Sequence, residues 1–231
     1  MLKKVLIANR GEIAIRIART AAEMGLETVA VYSEDDAASL HTRKTDKAVA
    51  LKGAGPAAYL DGQQIIMQAL ETDCDAIHPG YGFLSENAEF ARACGKASLI
   101  FVGPDPATLD LFGDKAEARA LAARHGVPTL SGTRRGIEMA DAEAFLKGLG
   151  KGASIMLKAV AGGGGRGMRL VHSADELEQA FARCRSEALQ AFGNGDLYAE
   201  EFFPDARHVE VQIVGDGTGA VSHIWDRECS L

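Results

Sequence analysis

Apolar positions along the first half of the chain fall into short blocks that alternate between two periods. Val5 to Ala8 is a continuous apolar run of strand length. From Glu12 to Met24 the apolar residues Ile13, Ile17, Ala21 and Met24 return at helical spacing, while Arg16, Arg19 and Glu23 face away. Gly25 ends that helix and Thr28 to Tyr32 reads as a second strand, so the opening is a βαβ unit. The alternation continues with Val49 to Leu51 as strand, Gln63 to Leu70 as helix, Ala76 to His78 as strand, Glu86 to Cys94 as helix and Leu99 to Val102 as strand. The expected fold class is α/β, with a Rossmann-like parallel sheet over residues 1–113.

Gly103-Pro104 interrupts this pattern, and Leu109 to Phe112 makes a short amphipathic turn. Asp114 suits the N-cap of a helix running through His125, within a linker helix expected over 114–130. Composition shifts between Pro128 and Gly136, where a second domain is expected to begin. Over 131–203 it holds Phe145 to Leu149, then two short apolar runs around a glycine loop, a strand-loop-strand arrangement spanning Ile155 to Val171. Ser173-Ala-Asp-Glu176 reads as a capping box for a helix to about Phe192 with Leu177, Ala180, Phe181, Cys184 and Ala188 inward. Leu197 to Phe203 is a strand closed by Pro204, and its Glu200-Glu201 pair reads as an exposed edge. Residues 204–231 begin a further subdomain. Val209, Val211 and Ile213 alternate there with His208, Glu210 and Gln212, which predicts one wet polar face, and a second strand follows at Ala220 to Asp226.

Glycine at 162 to 165 and at 167 costs backbone entropy, so bare backbone must serve a purpose there. Successive N–H groups without side chains can wrap an anion, and Lys158, Arg166 and Arg169 add positive charge. A Walker A motif is absent, because Arg166 and a strand follow where Lys, Ser or Thr and a helix are needed. The alternative is a flexible hairpin tip, against which Lys158 inside an apolar run argues. The first βα turn, Asn9-Arg10-Gly11-Glu12, lacks G-x-G-x-x-G, so Glu34, Asp35 and Asp36 read as a solvated loop rather than a ribose site. His78-Pro-Gly-Tyr-Gly-Phe-Leu-Ser-Glu-Asn87 forms an irregular loop at a strand's carboxyl end, where ligands of parallel sheets bind. His78 itself reads as a hydrogen-bonded buried histidine. Lys115, in the first turn of its helix, is placed sensibly only if a phosphate lies near.

Composition narrows the class. With 231 residues, 47% hydrophobic and a net charge of −7, the chain suits a globular protein with no nucleic-acid or membrane surface. Cys74, Cys94, Cys184 and Cys229 lie far apart without metal-ligand spacing and read as reduced, mostly packed thiols. The N-terminus has no signal-peptide pattern and no run reaches membrane-spanning length, which leads to a cytoplasmic expectation.

Four segments together resemble biotin carboxylase: Ile7-Ala-Asn-Arg-Gly-Glu-Ile-Ala14, the His78 to Asn87 loop, Phe112-Gly-Asp-Lys115 and Lys158 to Arg169. Arg207 to Ile213 and Asp226 to Ser230 extend the resemblance across the chain. It implies an ATP-grasp enzyme that uses ATP, Mg²⁺ or Mn²⁺ and bicarbonate to make carboxyphosphate and then carboxylates protein-linked biotin. By similarity, Lys115 and Lys158 bind the nucleotide phosphates and Gly164 and Gly165 belong to the lid loop. Glu200, Glu201, Phe202 and Phe203 form the adenine-side strand, with Glu201 standing where the family often has Lys or Arg, and His208 joins the same pocket. The implied partners are a biotin carboxyl carrier domain or protein and a carboxyltransferase component. The family's metal carboxylates, bicarbonate-binding basic residues and biotin-facing base fall beyond Leu231. The ATP-grasp domain is therefore expected to be truncated, with no catalytic or metal-binding residue inside these 231 positions and an isolated fragment without full activity. Another carboxyphosphate-forming ATP-grasp ligase, or a non-catalytic nucleotide-binding or assembly module, is the competing expectation.

Overall fold

The computed structural model describes residues 2–161 and 167–230. The chain divides into two compact units, Met1–Ala118 and Arg119–Leu231. In the first, β1 (Lys4–Ile7), β2 (Glu27–Tyr32), β3 (Lys47–Ala50), β4 (Ala76–His78) and β5 (Ile100–Phe101) form a parallel sheet in the order β3-β2-β1-β4-β5. The crossovers carry α1 (Gly11–Glu23), α2 (Gly62–Glu71) and α3 (Ala88–Lys96), and α4 (Pro106–Gly113) follows β5. The strand order reverses direction at β1, so the loops after β1 and β4 emerge side by side at the point where doubly wound sheets bind ligands.

Two expectations are corrected in this unit. Helix α1 buries the alanine stripe Ala14, Ala18 and Ala21, while Ile13 and Ile17 are half-buried and Met24 is 68% exposed. Small side chains let the helix axis approach the sheet closely, and the larger residues flank that contact instead of making it. The acidic run Glu34–Asp36 is a 3₁₀ turn in which Glu34 and Asp35 are exposed as expected, but Asp36 is buried, only 5% exposed. Arg10 donates two hydrogen bonds to its carboxylate, and the Tyr59 and Ser39 hydroxyls donate two more at 2.8 Å each. That pairing holds the Asp36 carboxyl well below the usual carboxylate range despite burial.

The second unit is built on an antiparallel sheet of β6 (Ile155–Ala159), β7 (Met168–Val171) and β8 (Leu197–Glu201) in the order β7-β6-β8. Helices α6 (Met139–Leu149) and α7 (Ala174–Phe192) cover one face, where Leu146, Leu177 and Phe181 pack on Ile155, Leu157 and Ala199. The inward face of α7 is as expected, but Ser173 makes no side-chain cap, and the Glu176 carboxylate accepts instead from the His172 N–H at 3.0 Å. A reciprocal capping box appears at α6, between Glu138 and Asp141. The division between the units falls within α5 (Lys115–Arg124), where the Asp114 carboxylate accepts from the Glu117 N–H at 3.2 Å as the N-cap. Strands β9 (Val209–Gly215) and β10 (Val221–Glu228) form a hairpin whose two faces are both exposed, so its apolar side is as wet as its polar one.

Candidate functional site

The β6–β7 hairpin begins from sequence alternation. Ile155, Leu157 and Ala159 point into the helix-covered core, which sends Met156 and Lys158 to the opposite face. Register places Lys158 between Met168 of β7 and Tyr198 of β8, and Met156 between Leu170 and Glu200. One face of three strands thus carries a lysine, a glutamate, a tyrosine and three half-buried apolar side chains. The glycine loop leaves this hairpin and returns at Gly167, where φ is +66° and an added Cβ would fall 2.8 Å from Ala159 Cβ. Its carbonyl is fixed by the Ala159 N–H at 2.8 Å and the Cys184 thiol at 3.1 Å. Only glycine closes the loop there without displacing the strand.

Glu200 is 8% exposed, and the expectation of an exposed edge is corrected. The stretch 131–137 runs along the outer side of β8. Glu201 N–H donates to Ser131 O and Thr133 N–H to Ala199 O, both at 2.9 Å, and Ile137 N–H donates to Leu197 O at 3.1 Å. Behind this cover the Glu200 carboxylate meets two cations: Lys158 Nζ donates to Oε2, and Arg119 Nη1 lies 3.2 Å from Oε1. Arg119 is itself anchored, donating from Nη2 to Leu130 O at 2.6 Å. Gly132 gives the guanidinium room, since a Cβ there would sit 2.2 Å from Nη1. The cluster carries one surplus positive charge, flanked by Met156, Met168 and Leu170. Tyr198 is buried beside it, and burial raises its phenol well above the ordinary value, with Glu200 adding to the shift.

Of the residues expected at the site, the structure brings Lys158 and Glu200 into direct contact. Glu201 is half-buried at the end of β8, the Phe202 N–H donates to Ser154 O at 2.9 Å, and Phe203 is exposed. His208 is exposed and tied to the hairpin, its N–H to Ser230 Oγ and its carbonyl to the Cys229 N–H, each at 2.7 Å. Lys115 opens α5 and is exposed, within the first unit. Gly164 and Gly165 lie outside the described residues. Arg119, Tyr198, Met156, Met168 and Leu170 were not expected at the site. The period of two through Lys158 could have found Met156, whereas Arg119 leaves no local signal.

In the first unit the two motif loops brace one another. Asn9 Nδ2 donates to Pro79 O at 2.7 Å and to Tyr81 O at 2.9 Å, and the Gly80 N–H donates to His78 Nδ1 at 3.0 Å. Burial lowers the His78 pKa, which favours the neutral ring that accepts this bond. His78 is the hydrogen-bonded histidine its sequence context predicted.

Residues 1–109 match the family model described as biotin carboxylase, N-terminal domain, and residues 114–231 match carbamoyl-phosphate synthase L chain, ATP binding domain. Human mitochondrial pyruvate carboxylase is 50% identical over 233 aligned residues, covering 100% of this chain and 20% of that protein. A biotin carboxylase–β,γ-ATP complex from Campylobacter jejuni superposes with a TM-score of 0.96 at 42% identity, over 99% of this chain and 51% of that one. The biotin carboxylase domain of 2-oxoglutarate carboxylase from Hydrogenobacter thermophilus, solved with MgADP, ADP and bicarbonate, gives 0.93 at 41% identity over 100% and 51%. The chain therefore spans about a fifth of the curated relatives' length and about half of these structures. No helix among the described residues is long and apolar enough to cross a membrane. Two adjoining family models, one of them specific to biotin carboxylase, and structural agreement over the whole chain establish that it belongs to the biotin carboxylase family, whose N-terminal and ATP-binding domains it carries.

Proposed function

We propose that the chain supplies the nucleotide-binding part of a biotin carboxylase, which activates bicarbonate with ATP as carboxyphosphate and carboxylates the ureido nitrogen of protein-linked biotin. The observation that carries this reading is the Lys158–Glu200 contact on the face of the glycine hairpin opposite the helix-covered core, with apolar side chains around it. A purine suits the flat apolar surface of Met156, Met168 and Leu170, and the surplus positive charge suits its phosphates. Lys158 on the hairpin and Lys115 at the N-terminus of α5 are the cations assigned to those phosphates, Gly164 and Gly165 the cover over them. The strand from Glu200 to Phe203 is assigned to the base, and His208 to the edge of the same pocket.

Phosphoryl transfer of this kind gains mainly from positioning and from neutralising charge as the γ-phosphoryl group moves, and lysines with backbone N–H groups are suited to that work. Excluding water would protect carboxyphosphate, which water destroys. The nucleotide's companion ion, Mg²⁺ or Mn²⁺, finds no cluster of three acidic, His or Cys side chains among the described residues, so no step is assigned through it. A biotin carrier domain and a carboxyltransferase are the proposed partners, and the cytoplasm the proposed compartment. The biotin carboxylase model over residues 1–109 favours this reading over other carboxyphosphate-forming ligases.

The test is ATP cleavage dependent on both bicarbonate and biotin, measured on the protein as encoded, whatever flanks these 231 residues. Lys158→Met is expected to abolish it. Cleavage indifferent to biotin would overturn the reading.

A further inference from the structure

Glu200 is an unusual carboxylate: its side chain is 11% exposed, yet two different cations reach it, one on each oxygen. The two are not equivalent. Arg119 is a planar, permanently charged fork with one arm fixed on the Leu130 carbonyl and the other beside Gly132, whereas Lys158 is a point charge on a flexible four-carbon stem. A phosphate arriving on this face competes with Glu200 for the Lys158 ammonium. If Lys158 were the carboxylate's sole counter-charge, releasing it would strand a buried anion, and binding would carry that cost.

We propose that Arg119 is a positioning residue for the nucleotide: it holds the Glu200 charge in place so that Lys158 can transfer from the carboxylate to a nucleotide phosphate. Glu200 in turn keeps the lysine extended across the strands before the nucleotide arrives. The proposal rests on the nucleotide reading of Lys158, and it assigns Arg119 no contact with the ligand. A static pair that merely ties the start of the second unit to β8 would leave the same distances but a different response to mutation.

Calorimetric titration with MgATP separates these possibilities on five variants of the protein as encoded. Lys158→Met is expected to weaken binding by roughly tenfold or more, which tests the nucleotide reading itself. Arg119→Met is expected to weaken it by about tenfold, and Arg119→Lys, which keeps a cation, by much less. In Arg119→Met/Glu200→Gln the stranded charge is gone, so affinity should return to that of Glu200→Gln alone. A thermal melt on each variant confirms folding, and Arg119→Gln replaces Arg119→Met if the latter does not fold. Lys158-dependent binding that Arg119→Met leaves unchanged would overturn the latch alone. So would a loss that Glu200→Gln fails to restore, because Arg119 would then touch the nucleotide directly. Absent binding, or binding indifferent to Lys158→Met, would overturn the nucleotide reading and the latch with it.

Discussion

Arg10 grips Asp36 through both carboxylate oxygens, Nε to Oδ2 at 2.5 Å and Nη2 to Oδ1 at 2.6 Å, across the ends of the neighbouring strands β1 and β2. Asn9, one residue earlier, holds Pro79 and Tyr81 from the loop after β4. Two adjacent residues thus tie three strand ends together, and the irregular loops at the sheet's carboxyl edge keep one arrangement.

Asp36→Asn should cost about 3 kcal/mol at neutral pH, the low end for breaking a buried pair, because the guanidinium half-reaches solvent. The pH dependence follows from the sign of the shift. The folded carboxyl titrates below its ordinary value of 3.8, so its stabilisation is full well above 3.8 and is lost as pH falls through the folded value. Urea unfolding at pH 7 and pH 3 should show the gap between wild type and Asp36→Asn narrowing in acid. An unchanged gap would mean that ionic pairing is not its source.

Gly80 and Gly82 share a left-handed backbone but not the same surroundings. At Gly80, with φ +68°, a Cβ would meet Asn9 Nδ2 and Ile13 Cγ2 at 2.7 Å, while at Gly82, with φ +72°, nothing lies within 4 Å. Gly82→Ala should cost about 1 kcal/mol for backbone strain alone. Gly80→Ala should cost clearly more, since it also pushes Asn9 off the Pro79 and Tyr81 carbonyls. Equal midpoints in denaturant would refute the bracing role of Asn9.

The thiols should divide by burial. Cys94 and Cys184 are fully enclosed and burial pushes each up to about 11, and Cys74 is also buried and raised. Cys229 is partly exposed. An aromatic disulfide reagent at pH 8 should modify one thiol rapidly in the native protein and all four in urea. Rapid native reaction of Cys184 would show that the Gly167 end of the glycine hairpin opens.

Trp225 is the chain's single tryptophan, 77% exposed at the bulge of β10 with φ +54°. Its fluorescence should resemble free indole and be quenched by iodide. Blue-shifted emission that strengthens with protein concentration would show the hairpin's apolar face covered by association instead.

Local pattern determined most of the architecture: the alternation of strand and helix before residue 113, the glycine hairpin, the helix ending at Phe192, and the segments that carry the family resemblance. These were legible because backbone entropy, capping and amphipathic period act over a few residues. Tertiary structure decided which charges are buried. Asp36 and Glu200 both read as solvent-facing acids, and both are enclosed beside an arginine distant in sequence. The same holds for α1, where sheet contact selected the alanine stripe over the larger apolar residues. A carboxylate's environment depends on strand order and on what covers a sheet edge. Neither leaves a trace in the residues next to it, and so the pairing of Glu200 with Arg119 is set by the stretch 131–137 that covers β8 and not by any local pattern.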